Sequence, residues 1–322
     1  MKRQLMPAMV VVVVLTALSR TPDSGAHSDS SSVASVTHYR VYDAGGPVYA
    51  FAVQADVIWC AIESTVVSIP MHGGERTVYP MLGSMPAQAI KAIVADKRGR
   101  VWFGGPHGAA MKNGLQFGDF TVNNGLSNDR VYAIVAADDG SVWVGTDSGA
   151  NVLTGETWKQ FTVKDGLLSN KIQAITLDDK GNVWLGTDKG INAFNGKIWR
   201  SYTAQDGMSE NDDTKALAYD RIKGVLWAAV GDQDVNTFDG QKWNVYMDIQ
   251  TGTLTIMADS QNRIWFGTAK GILKFNGDDW LPDPTPFGVP INQAYQMLND
   301  EKGDLWFATG RGIIRLLNPY AF

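Results

Sequence analysis

Apolar and polar residues alternate with a period of two through short stretches, and Gly, Asp and Asn recur between those stretches. Residues 171–178 (KIQAITLD) and 182–187 (NVWLGT) predict two strands joined by a turn at Asp179-Lys180-Gly181. Asp188-Lys189-Gly190 turns into INAF, and Asn195-Gly196 predicts a tight type I′ hairpin into KIWRSYT, because that turn needs positive φ at both central residues. AQDGMSEND then leads to the next unit. No stretch carries the 3.6-residue period of an amphipathic helix, so the unit is four strands.

The unit repeats. DVIWCAIE, GRVWFGGPHG, GSVWVGTDSG, GNVWLGTDKG, GVLWAAVGDQ, NRIWFGTAKG and GDLWFATGRG align on Trp59, Trp102, Trp143, Trp184, Trp227, Trp265 and Trp306. Their spacings are 43, 41, 41, 43, 38 and 41 residues, the size of a four-stranded propeller blade. The remaining tryptophans, Trp158, Trp199, Trp243 and Trp280, follow 15 or 16 residues after their partners, which places all 11 at repeat positions. The expected fold is all-β, a seven-bladed β-propeller of four-stranded blades. The last unit ends on GIIRLLNPYAF without an outer strand, whereas residues 37–43 (THYRVYD) precede an inner strand as KQFTVKD does. The N-terminal strand is therefore expected to complete the last blade and close the ring.

Composition adjusts this picture in a few places. A length of 322 residues alone would suggest about two domains, but the repeat merges residues 37–322 into one. Gly 34 and Trp 11 are high because turns and packing positions recur. A formal net charge of −5 gives no basic excess, so nucleic acid is not an expected partner. The single cysteine, Cys60, sits in the apolar run VIWCAI and excludes an intramolecular disulfide. His27, His38, His72 and His107 show no metal-ligand spacing, and neither metal nor cofactor is expected. Residues 1–19 pair two cations with an apolar run of signal-peptide length, with an uncleaved signal anchor as the alternative. Residues 20–36 are Ser-, Asp- and Gly-rich and are expected to be a flexible linker. The expected location is extracytoplasmic, periplasmic or secreted, with membrane contact only through an uncleaved N-terminal segment.

The run AITLDDKGNVWLGTDKGINAFNGKIWRSYTAQDGMSEND, with its AIxxDxxGxxWxGTxxG core and a DGLxxN linker at Asp165, Gly166, Leu167 and Asn170, resembles the two-component regulator propeller repeat. The resemblance spans about residues 37–319. It weakens in blades one, two, five and seven, where the Gly-Thr step becomes Cys60-Ala61, Gly104-Gly105, Ala229-Val230 and Ala308-Thr309. Such propellers are commonly extracytoplasmic sensor modules, often in tandem, ahead of a transmembrane helix and a histidine kinase. One propeller ending at Phe322 departs from that plan. The resemblance thus implies the fold and a sensing or binding role, not the kinase output.

Residues that recur in every blade are expected to be scaffold. The WxGT tryptophans are assigned to inter-blade packing, the DG, NG and GT residues to turns, and Asp96, Asp178, Asp220 and Asp259 to backbone capping. Function belongs where blades differ. One inner-strand column reads Tyr49, Lys91, Tyr132, Gln173, Lys215, Leu254 and Tyr295, and is expected at the channel mouth. A second, Phe51, Ile93, Ile134, Ile175, Leu217, Ile256 and Met297, is uniformly apolar and expected between blades. Arg130, Lys171, Asp213 and Gln293, together with His107, Asp147, Asp188, Asp232, Gln233, Lys270 and Arg311, should overlook the same mouth. Tyrosines with cations and amides suit a small polar ligand or an oligosaccharide, while a plain water-filled entrance needs polar residues too. Two alternatives remain: a propeller lyase or hydrolase using His107 with Asp147 or Glu63, and a scaffold that binds a partner protein.

Overall fold

The computed structural model describes residues 39–210, 212–246, 252–261, 263–268, 270–275, 280–282, 291–300 and 302–317. The expected signal segment, the linker, Thr37 and His38 lie outside these residues.

Seven antiparallel four-stranded sheets form the ring. Blade four shows the plan: Ile172–Leu177, Val183–Thr187, Gly190–Phe194 and Trp199–Tyr202, each after the first paired with the strand before it. Blade seven draws its inner three strands from Gln296–Asn299, Leu305–Thr309 and Gly312–Leu316 and its outer one from Tyr39–Tyr42. Tyr39 pairs with Leu316 and Tyr42 with Ile313, so the two ends of the chain zip together as expected. A small hairpin, Met81–Leu82 with Met85–Pro86, is inserted between blades one and two. Helical structure among the described residues is limited to two single 3-10 turns in linkers, Val163–Asp165 and Ala204–Asp206, each opened by a threonine capping box. None of the described helices is long and apolar enough to cross a membrane.

The seven repeat tryptophans are all buried. Each packs into the neighbouring blade: Trp184 of blade four clusters with Leu226, Ala228 and Val230 of blade five, and Trp306 of blade seven with Phe51 and Ile58 of blade one. A buried side chain of this size removes about 150–250 Å² from water, on the order of 4–6 kcal/mol gross. Repeated around the ring, that burial makes each blade depend on its neighbours. Cys60 lies buried in the same layer, and burial pushes its thiol well above its ordinary value, so it is inert packing.

Two local expectations need correction. The GT glycines are not turn formers. They sit on second strands facing the next blade, where a Cβ on Gly186 would lie 2.8 Å from Thr214 Cγ2 and one on Gly145 2.7 Å from Ile172 Cγ2. The turn is made by the following residues, with the Thr187 hydroxyl donating to the Gly190 carbonyl at 2.9 Å and Gly190 at φ 114°. Nor is Asn195-Gly196 a type I′ turn, because Gly196 has positive φ and Asn195 does not. Phe194 pairs with Trp199, leaving a four-residue loop in which the Asn195 carboxamide oxygen accepts from the Lys197 and Ile198 amides at 3.0 Å each.

Candidate functional site

The end of the ring at which inner strands begin is also the end where second strands finish, since Ile172 pairs with Thr187. Linkers between blades and turns between second and third strands therefore gather at one mouth, and first-to-second-strand turns such as the one capped by Asp178 lie at the other.

At that mouth the inner strand bulges. In blade three, Val131 pairs with Thr146 and Ala133 with Gly145, which leaves Tyr132 outside the ladder. Gln173, Lys215 and Leu254 are left out in the same way in blades four, five and six. In blades one, two and seven the amides of Tyr49, Lys91 and Tyr295 donate to Ala61, Gly104 and Ala308, residues already paired with Ala50, Ala92 and Gln296. Two residues thus oppose one in every blade. A bulge re-aims its extra side chain, and here it forms the mouth column read from the sequence.

The column encircles a cavity of about 240 Å³, lined at its rim by Tyr49, Lys91, Tyr132, Leu254 and Tyr295. Ile93, Ile134, Ile175, Leu217 and Ile256 line its deeper part. The second column is therefore not confined to the spaces between blades. Phe51, Ile93, Ile134, Ile256 and Met297 are buried, but Ile175 and Leu217 are half-buried and also face the channel.

Neighbouring side chains pair around the rim. The Tyr49 and Tyr295 rings lie 4.9 Å apart, and the Tyr295 hydroxyl donates to Gln293 Oε1 at 2.8 Å. Burial, with the nearby Tyr49, raises the Tyr295 phenol above its ordinary value. Lys91 Nζ stands 5.9 Å over the Tyr132 ring. Gln173 Nε2 donates to Asp213 Oδ1 at 2.5 Å and so leaves the cavity lining. Lys215 bonds Asp232 and lies 3.9 Å from Asp213. The Lys215 hydrogen bond and charge hold the Asp232 carboxyl below its ordinary value. Arg130 reaches Asp147 at 3.5 Å.

Other expected mouth residues are less engaged. His107 and Arg311 are exposed in their turns, and Lys171 is half-buried. Asp188 keeps one carboxylate oxygen buried without a hydrogen-bond partner, as does Asp212 in the following linker. Among the described residues no carboxylate pairs with His107; Asp147 faces Arg130, and the histidine–aspartate contact found among them, His72 to Asp56 at 3.1 Å, is at the far end. No group of three or more His, Cys, Asp or Glu among the described residues is arranged to hold a metal.

Sequence reading missed Asn151, Asn192 and Asn236, which are fully buried. Their carboxamide oxygens accept from the amides of Ser127, Leu168 and Ser209 and so pin the mouth linkers of blades three to five. The signal was available: asparagine occupies an apolar column of the third strand in those blades alone.

The sequence model of the two component regulator propeller family matches residues 125–148 and 166–189. No curated protein matches the chain. Among solved structures, the extracellular domain of the hybrid two component system BT3049 from B. thetaiotaomicron superposes with a TM-score of 0.70 at 17% identity, over 86% of this chain and 39% of that one. The chain thus spans about two fifths of that relative's length. A streptogramin B lyase superposes at 0.69 with 15% identity, over 89% and 99%. A virginiamycin B lyase from S. aureus with quinupristin, a catalytically inactive histidine-to-alanine variant, gives 0.69 at 13%, over 87% and 98%. At such identities the likeness is one of fold. The matched segments fall within blades three and four of a ring of seven four-stranded blades, so two stretches of this chain match the two component regulator propeller model and the whole is a seven-bladed propeller.

Proposed function

We propose that the ring is an extracytoplasmic ligand-binding sensor or recognition module whose ligand, small and polar or a carbohydrate, sits at the channel mouth. The supporting observation is the bulge at the same place in every blade, which brings the column to one mouth, where Tyr49, Lys91, Tyr132, Leu254 and Tyr295 line one cavity. A packing role would have kept those positions alike. They differ from blade to blade, while the tryptophan layer beneath them does not. Ligand pockets commonly combine apolar walls with a few convergent polar groups, and this mouth does so. A fold shared with the extracellular domain of a two component system fits the same reading.

The test is a thermal-shift screen of the intact chain against oligosaccharides, peptides and organic acids, since a ligand of the folded ring raises its apparent stability by mass action. A binder should lose its shift in the Tyr132→Ala, Lys91→Ala double variant. If the binder is indifferent to both substitutions, the site is elsewhere.

The likeness to lyases over nearly their full length favours a second reading, an enzyme. It would rest on His107, the histidine at this mouth among the described residues. Turnover of quinupristin that disappears in His107→Ala would establish it.

A further inference from the structure

The mouth is not uniform, and its asymmetry bears on what it takes; the inference rests on the recognition reading above. On blades four and five the polar side chains satisfy one another: Gln173 with Asp213, and Lys215 with Asp232 and Asp213. Those column side chains have little left to offer a ligand, and displacing their partners would leave charges uncompensated. The contiguous blades seven, one, two and three differ. They present Tyr295, Tyr49, Lys91 and Tyr132 in sequence round the rim, all lining the cavity. Tyr49 is 40% exposed, a large ring face left toward solvent. Lys91 is exposed and forms no ion pair with a described carboxylate, its described neighbour being the Tyr132 ring.

We propose that this arc binds off the channel axis, and that its ligand is a ring bearing a single carboxylate. Lys91 receives the carboxylate as a point charge, and the ring lies on the tyrosine faces that flank it. Among the described residues that line the cavity Lys91 carries the one charge, which a single carboxylate balances. A cavity of about 240 Å³ lies just below the usual range for ligand pockets of about 300–1,000 Å³, so it suits one ring or two rather than a long chain. The same chemistry occurs in uronic acid sugars and in aromatic acids, and separate arms of the test tell them apart.

Binding to the intact chain is measured by calorimetry with four carboxylates, galacturonate, glucuronate, 4-hydroxybenzoate and indole-3-acetate. Each is paired with a neutral counterpart: galactose, glucose, or the corresponding amide. At least one carboxylate should bind at least tenfold tighter than its counterpart, and the arm in which it does names the source. Lys91→Gln should remove that preference without changing the neutral compound's affinity, whereas Lys180→Gln, a lost cation at the opposite end of the ring, should preserve it. Failure of all four carboxylates to bind, equal binding of both members of every pair, or a preference that survives Lys91→Gln would each overturn the proposal. Neutral oligosaccharides that bind and are lost in Tyr132→Ala would overturn the carboxylate class while leaving the mouth as the recognition site.

Discussion

Trp184 Nε1 donates a hydrogen bond at 3.1 Å to Asp178 Oδ2, six residues earlier, while Asp178 Oδ1 accepts from the Lys180 and Asn182 amides. The arrangement recurs as Trp102 with Asp96, Trp265 with Asp259 and Trp306 with Asp300. One carboxylate thus fixes a turn at the far end of the blade and the indole packed against the next blade. Asp178→Ala strands two amides and a buried indole N–H, so it should lower stability by about 3 kcal/mol. Urea denaturation followed by tryptophan fluorescence checks the loss.

Blade five breaks this spacing. Seven residues separate Asp220 from Trp227, and both Asp220 Oδ2 and Trp227 Nε1 are buried without partners. Deleting Ile222, which is 61% exposed, restores a spacing of six and should stabilise the ring by about 1 kcal/mol, the net worth of a typical hydrogen bond. An unchanged or lower urea midpoint would show that the insertion is not what separates the pair.

Asp96 gives the far end a pH dependence. Burial alone would raise its carboxyl, but the Arg100 amide, the Trp102 indole and the Arg100 guanidinium at 2.5 Å outweigh burial and hold it below its ordinary value. A carboxyl depressed on folding stabilises the protein above its unfolded pKa, and that contribution is lost as pH falls through the folded value. Melting temperature should therefore fall between about pH 5 and pH 2, and less steeply in Asp96→Asn, which has no proton to gain.

Closure of the ring rests on a strand from the other end of the chain. Tyr42 stacks on Trp306 at 5.9 Å and pairs with Ile313. Tyr42→Ala should cost about 3–5 kcal/mol, as for other large aromatic truncations in cores, and should lower the melting temperature of the whole ring in a single transition. A separate early transition with the rest unchanged would mean that blade seven opens alone.

The fold was legible because its signals are additive. Seven tryptophans at blade spacing and a missing outer strand at one end left a single way to close the sheets. The mouth column was legible too, as a row in which Tyr, Lys, Gln and Leu replace one another. The bulge that carries it was not: an extra residue such as Gln173 changes no composition, and the change from a polar to an apolar column put Gln173 and Ile175 in separate layers although the cavity reaches Ile175. Pairings were equally hidden. Nothing in the spacing says that Lys215 meets Asp232 while Lys91 meets a tyrosine ring, because one partner comes from a turn of the same blade and the other from the inner strand of the next. The GT glycines were misassigned for a related reason, since what they avoid is a side chain some 30 residues away in the next blade, as Gly186 avoids Thr214.

The residues left outside the ladder at the mouth have one more property. None has a paired position in the ladder, and none belongs to the clusters around the tryptophans. Substitutions there need not disturb the pairing that holds a blade together, so the seven positions can be exchanged one at a time on an unchanged wheel. Recognition and foldability are thereby inherited separately, and related chains could acquire new chemical preferences without passing through unstable intermediates.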